Sequence, residues 1–301
     1  MGQKHTLPGL PSLGRCLVMG VVNVTPDSFS DGGAWFDPDQ AVEHGMRLVE
    51  EGADIIDVGG ESTRPGAQRV SAEEELRRVR PVVRELSARG VAVSVDTMRA
   101  EVAEKAVEDG AVLVNDVSGG LADPAMARLV ASSGVSYVLM HWRGHSHDMQ
   151  SRAVYTDVVQ EVLDELRDRM EAMISAGVDP GQIILDPGLG FSKRPEQAHN
   201  WALLHHLERF GELGRPVLVA GSRKRFLSRL LGDSEGGDRP FVECDAATAA
   251  LTTLSADRGA WAVRVHDVRS SADAVRVAAA WADGGARLDQ GRAEPVGRGG
   301  L

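Results

Sequence analysis

The chain has 301 residues, 43% of them apolar, enough to bury a substantial core, and one α/β barrel of roughly 250 residues fits that length without a second domain. A formal charge of −11 argues against a nucleic-acid scaffold, because binding to a phosphate backbone shows as a basic excess; an anionic substrate has to be met by locally placed cations. Cys16 and Cys244 are the only cysteines, so neither a disulfide framework nor a thiolate zinc site is supported. With no signal-peptide run and no stretch near the ~20 apolar residues that span a bilayer, a soluble, cytoplasmic protein is expected.

Along the chain, residues 1–14 are expected to be disordered. From there short β-branched runs alternate with longer amphipathic stretches, the sequence form of repeated βα units. Candidate strands cover 16–22, 54–58, 91–95, 111–115, 135–139, 182–186, 216–220 and 260–265. Helical patterns with charged outer faces lie between them, for example over 72–89 and 156–176. GDSEGGDRP at 232–240 reads as a mobile loop, and the Gly/Arg-rich stretch 284–301 as a flexible tail. Continuous apolar strands suit a sheet covered on both faces. Eight units in succession favour a single (β/α)8 TIM barrel over 15–283, with its active site at the C-terminal ends of the strands.

The residues at and just beyond each strand end are therefore the informative ones. The first strand ends in Asn23 and runs into VTPDSFSDGG, which holds Asp27. The second ends at Asp57 before GGESTRPGA, with Thr63, Arg64 and Pro65. The third ends in Asp96, the fourth in Asn115 and Asp116, the fifth in Met140 and His141, and the sixth in Asp186 before PGLGF, with Phe191. The seventh leads to GSRK, with Ser222 and Lys224, and the eighth delivers Arg264 and His266. Any one of these has a plain reading as a strand-end cap, a turn glycine, a solvated arginine or a packed histidine. Eight polar ends converging on one mouth weaken that reading. A metal site of His141, His145 and His147 is disfavoured by irregular spacing in a loop. GSRK lacks the GxxxxGK[ST] spacing of a nucleotide loop; a helix starting at Ser222 would turn free N–H groups toward a carboxylate or a carbonyl-rich ring. Arg264 and His266 alternate on one strand face, which suggests a phosphate or pyrophosphate site.

MGVVNVTPDSFSDGG, GADIIDVGGESTRPGA, SVDT, NDVSGG, LMHWR, ILDPGLGF, SRKRFL and RVHDV stand in this order, each at a strand end. Over roughly 16–283 the chain resembles the dihydropteroate synthase family of pterin-binding barrels. The resemblance implies condensation of a pterin pyrophosphate with 4-aminobenzoate, as a homodimer, with Mg2+ as cofactor and no nucleic-acid or membrane partner. By the same resemblance Asp96, Asn115, Met140, Asp186 and Lys224 hold the pterin, and Asn23, Arg264 and His266 the pyrophosphate, with Asn23 the direct magnesium ligand. Thr63, Arg64, Pro65, Phe191 and Ser222 surround the aminobenzoate, its carboxylate facing the helix start, and Asp27 helps organise the closed site. The donor types suit a pterin edge: carboxylates for ring N–H and amino groups, a carboxamide for both senses, an ammonium for the ring carbonyl. Arg225 after Lys224, where the family often has serine, and the VAGSRK segment depart from the pattern. A methyltransferase that passes a methyl group from a reduced folate to a corrinoid protein shares the barrel and the Asp96 and Asn115 type of contact, but it needs no pyrophosphate site. A non-catalytic pterin-binding paralogue is the other alternative, and the intact first and second loops weigh against it.

Overall fold

Two-residue alternation along eight short strands builds the architecture. The structure is a computed structural model that describes residues 6–25, 37–61, 69–144, 151–194, 198–233 and 236–284. The strands are β1 (Leu17–Asn23), β2 (Ile55–Gly59), β3 (Val93–Asp96), β4 (Leu113–Asp116), β5 (Ser136–Met140), β6 (Ile183–Asp186), β7 (Leu218–Val219) and β8 (Ala262–Val265). They form one sheet in the order β6-β5-β4-β3-β2-β1-β8-β7 with parallel pairing. A single parallel bridge between Leu185 and Val217 brings its two ends together. The expected (β/α)8 barrel is the observed one.

The helical layer is α1 (Pro38–Glu51), α2 (Ala72–Ala88), α3 (Ala100–Glu108), α4 (Met126–Ser133), α5 (Val158–Ser175), α6 (His199–His205), α7 (Leu207–Gly211), α8 (Arg225–Leu230), α9 (Asp245–Asp257) and α10 (Val268–Ala282). Local signals set several starts. Asp37 accepts from Asp39 N before Pro38, Ser71 accepts from Glu74 N ahead of three glutamates, and Asp157 accepts from Val159 and Gln160 N. Outward strand residues such as Val18, Ile56, Val58, Val95 and Leu139 are buried against helix residues such as Val79, Val83, Leu86, Val162 and Leu166. Inward residues at the N-terminal end of the barrel form a second, separate apolar cluster: Leu7, Leu17, Met19, Ile55, Leu113, Val138, Ile184, Leu218 and Ala262.

Three expectations need correction. Residues 6–14 are not loose: Leu7 is 5% exposed and closes the floor cluster, with Leu10 packed beside it, and Ser136 Oγ donates to the Pro8 carbonyl at 2.9 Å. An apolar residue that plugs a barrel end loses its water as fully as one inside a strand. The seventh strand shrinks from 216–220 to two residues, because β6 meets it through only one bridge. The helix expected from Ser222 begins at Arg225, with Lys224 as its cap residue. Arg239 N donates to the Ser228 carbonyl at 3.0 Å. The tail beyond Gly284 lies outside the described residues, and no helix among those described is long and apolar enough to cross a membrane.

Candidate active site

Above the floor the same inward face turns polar. Side chains alternate across a strand, so the inward residues continue Ile55 to Asp57 to Gly59, Leu113 to Asn115, Val138 to Met140, Ile184 to Asp186 and Ala262 to Arg264. The register aligns Asn23 with Gly59, Gly59 with Asp96, Asp96 with Asn115, and Met140 with Asp186. Gly59 leaves the space between its neighbours open: a Cβ there would stand 3.6 Å from Asn23 Oδ1 and 3.8 Å from Asp96 Oδ2. Asn23, Asp96, Asn115, Met140, Asp186 and Arg264 thus come together at one end of the barrel, as the strand-end pattern anticipated.

Arg264 ties this layer together. Its Nε donates to Asp57 Oδ2 at 2.6 Å and an end nitrogen donates to Asp96 Oδ2 at 2.7 Å, linking β8 to β2 and β3. Asp57 Oδ2 also accepts from Asn115 Nδ2 at 3.0 Å. Burial lifts the Asp96 carboxyl to about 7, although the Arg264 guanidinium pulls the other way. Burial works against the Arg264 charge, yet Asp57 and Asp96 outweigh it and hold the guanidinium more firmly protonated than usual.

The segment after β6 forms the opposite wall. Asp186 Oδ1 accepts from Gly188 N at 2.7 Å, while burial raises its carboxyl above the ordinary range. Lys224 donates to the Leu189 carbonyl at 2.7 Å, and its Nζ stands 4.3 Å from the Phe191 ring centroid. Burial lowers the Lys224 ammonium to about 8, against the attraction of Asp186. Gly190, at φ 77°, would bring a Cβ within 3.0 Å of Lys224 Cδ, so the lysine lies close along the turn. A second lysine braces the turn: fully buried Lys193 donates to the Pro187 carbonyl at 2.8 Å and meets His141 Nδ1 at 2.8 Å. His141 Nε2 lies 2.9 Å from Glu165 Oε2 on α5, and Glu165 also pairs with Arg143. Burial and then Lys193 depress the His141 imidazole to about 4, so it is neutral here, and burial holds Lys193 well below the ordinary lysine range.

Ser222 precedes α8 by three residues, so it is not the helix start that the sequence suggested; Lys224 holds that cap position. The Ser222 Oγ instead accepts from His266 N at 3.2 Å and lies 3.1 Å from His266 Nδ1, joining the ends of β7 and β8. Asp116 and His141, read from the sequence as mouth residues, face the helices. Asp116 accepts from Ser118 N and Tyr137 Oη at 2.7 and 2.8 Å. Asp27, Thr63, Arg64 and Pro65 lie outside the described residues. Sequence reasoning gave Asp57 and Lys193 no role. The sequence marks Asp57 only as the polar end of the second strand, and nothing local marks a loop lysine as buried. Among the described residues, no group of three or more His, Cys, Asp or Glu has the arrangement of a metal site.

The sequence profile described as pterin binding enzyme matches residues 19–266. The dihydropteroate synthase of Mycobacterium leprae (strain TN) is 53% identical over 284 residues, covering 94% of this chain and 99% of that protein. The Xanthomonas albilineans dihydropteroate synthase solved with 4-aminobenzoic acid superposes with a TM-score of 0.81 at 46% identity, over 91% of this chain and 94% of that one. The structure of that synthase in complex with 7,8-dihydropteroate gives a TM-score of 0.77 at 44% identity, over 89% and 93%.

Proposed function

The chain belongs to the pterin-binding enzyme family, and from that premise we propose that it is a dihydropteroate synthase. It transfers the pterin-methyl group of 6-hydroxymethyl-7,8-dihydropterin pyrophosphate to 4-aminobenzoate, yielding 7,8-dihydropteroate and pyrophosphate in folate biosynthesis. The observation that carries this reading is the inward polar layer of Asp96, Asn115 and Asp186 with Lys224 and Arg264, set one step above an apolar floor. Relatives solved with 4-aminobenzoic acid and with 7,8-dihydropteroate support the same substrates.

Asp96, Asn115, Asp186 and Lys224 take the polar edge of the pterin, with Met140 packed beside it. Buried carboxylates accept from ring N–H and amino groups in charge-assisted hydrogen bonds. Lys224, released from the Leu189 carbonyl, can donate to the ring carbonyl. Asn23, Arg264 and His266 hold the pyrophosphate. Arg264 uses two of the five N–H donors of a guanidinium on Asp57 and Asp96, which leaves the others for an anion. Departure of pyrophosphate leaves a cationic pterin methylene that the unprotonated aromatic amine attacks, so the protein acts chiefly by stabilising the leaving group and aligning the amine. Phe191 and Ser222, with Thr63, Arg64 and Pro65, form the aminobenzoate wall, and Asp27 organises the closed site.

Asn23 fits the role of single protein ligand to a hydrated magnesium ion, since its neutral amide oxygen is a hard donor facing Asp96 across an open Gly59. Magnesium, when bound, neutralises charge on the departing pyrophosphate. The enzyme is cytoplasmic and pairs as a homodimer through the later helices, where Leu254, Val277 and Trp281 expose 61%, 60% and 82% of their surfaces. The direct test is pyrophosphate release from the pterin pyrophosphate, 4-aminobenzoate and magnesium, each omitted in turn. No pyrophosphate and no 7,8-dihydropteroate formed with all three present refutes the synthase.

A further inference from the structure

Asp57 has no part in the roles above, yet it sits at the centre of the polar layer. It is fully buried, and its Oδ2 is the common acceptor for Asn115 Nδ2 at 3.0 Å and Arg264 Nε at 2.6 Å, while its Oδ1 is buried with no hydrogen-bond partner among the described residues. An ionised carboxylate accepts and never donates. Whatever Asn115 turns toward Asp57 must therefore be its NH2 group. A carboxamide is nearly symmetric in shape, and turning it over exchanges donor for acceptor at no steric cost. Here the turned-over form would set Asn115 Oδ1 against Asp57 Oδ2, two acceptors at hydrogen-bond distance in a buried site, which is strongly unfavourable. The same carboxylate fixes the guanidinium of Arg264 by its Nε, with Asp96 holding the other end.

We infer that Asp57 is a positioning residue that sets the donor and acceptor sense of Asn115 and the plane of Arg264, so that the site takes a pterin ring in one hydrogen-bonding orientation. This rests on the reading of Asn115 as a pterin contact. Asn115 is left to meet the ligand with Oδ1 and its second N–H. In Asp57→Asn the substituted carboxamide can offer either sense, and Asn115 is no longer held to one.

The test is a reciprocal exchange. Asp57→Asn should bind 6-hydroxymethyl-7,8-dihydropterin pyrophosphate about tenfold or more weakly, roughly 1.4 kcal/mol, and kcat/KM for that substrate should fall with it. KM for 4-aminobenzoate at saturating pterin should change by less than about threefold, a split that general damage to the barrel does not produce. Asn115→Asp alone sets two carboxylates together and should be worse. The double variant Asp57→Asn/Asn115→Asp restores one carboxylate opposite one NH2 group, and it should bind the pterin about tenfold better than Asn115→Asp. A double variant no better than the worse single one overturns the inference. If Asp57→Asn does not fold, the parent protein labelled with 15N-asparagine answers instead. The Asn115 side-chain N–H pair, assigned by its loss in Asn115→Asp, should exchange slowly with solvent, and on adding pterin the N–H turned to Asp57 should keep its shift while the other moves; rapid exchange overturns the inference. A parent protein that binds the pterin without releasing pyrophosphate removes the synthase reading and leaves the binding arm to judge Asp57; one that binds no pterin removes both.

Discussion

Ile55 and Asp57, Leu113 and Asn115, Ile184 and Asp186, and Ala262 and Arg264 are pairs two residues apart on the same strand face, yet they belong to different regions. The first members close the barrel floor with Leu7; the second members form a polar layer in which Asp57 accepts from both Asn115 and Arg264, and Asp186 accepts from Gly188 N. Both layers are buried. In the floor burial is the stabilising force itself, whereas in the polar layer it is a cost that hydrogen bonds and ion pairs must offset. One rung of a parallel barrel therefore separates residues whose loss should show in stability from residues whose loss should show in catalysis.

Arg264→Ala is the widest break in this division, because the arginine serves both ends. It leaves Asp57 and Asp96 buried without their cation, a situation that costs on the order of 3–5 kcal/mol. It should also weaken pyrophosphate and pterin pyrophosphate far more than a pterin lacking phosphates, with His266→Ala giving the same selectivity and a smaller loss of stability. Denaturant unfolding beside calorimetric titration checks both, and equal losses for the two kinds of ligand would remove the pyrophosphate assignment.

Ile184→Ala tests the floor. Ile184 is fully buried, so the expected loss is about 2–5 kcal/mol of stability. The protein that remains folded should keep kcat/KM within about threefold, less than ~1 kcal/mol of transition-state stabilisation. A large drop in kcat/KM without loss of stability would blur the two layers. Its partner on the next rung, Asp186→Asn, should do the reverse. One acceptor becomes a donor facing a pterin donor, at a cost on the order of 1–3 kcal/mol and thus roughly tenfold to a few hundredfold in kcat/KM. Steady-state kinetics beside thermal unfolding measure the split, and an unchanged kcat/KM in the folded variant would make Asp186 a strand-end residue only.

The smallest expected effect is a pH slope from Lys224. Its folded value of about 8 lies below the ordinary 10.5, so between those values the unfolded chain holds a proton that the folded chain has released. Stability contributed by this group therefore rises with pH across that window, by at most about 1 kcal/mol from pH 8 to 9. Lys224→Met should lose that rise relative to the parent in urea titrations at the two pH values. Parallel slopes in the two proteins would show that Lys224 keeps its proton through pH 9.

Eight strand positions, the helices after Ser71 and Asp157, and the residues at the strand ends are legible in the sequence because each rests on a local signal: a β-branched run, a capping side chain, a polar residue after an apolar stretch. Asp96, Asn115, Met140, Asp186 and Arg264 all reach the inward layer on that signal alone. What faces inward next to them was harder to see. Asp57 stands among the polar strand ends, but alternation has a period of two and cannot show that Asn115 and Arg264 share its carboxylate.

Periodicity, caps and turns act over a few positions, so the barrel, its repeat and the residue types gathered at one end of it are written in the order of the amino acids. Which of those residues are bonded to one another follows from the closed fold. Arg264 meets Asp96 from 168 positions away, Leu7 plugs a floor built by seven of the strands, Lys193 is buried under a histidine from the neighbouring strand's end, and Ser222 is tied to His266 instead of opening a helix. These pairings are set by register between strands and by the energy of leaving a buried polar group unpaired, and both exist only once the barrel has closed.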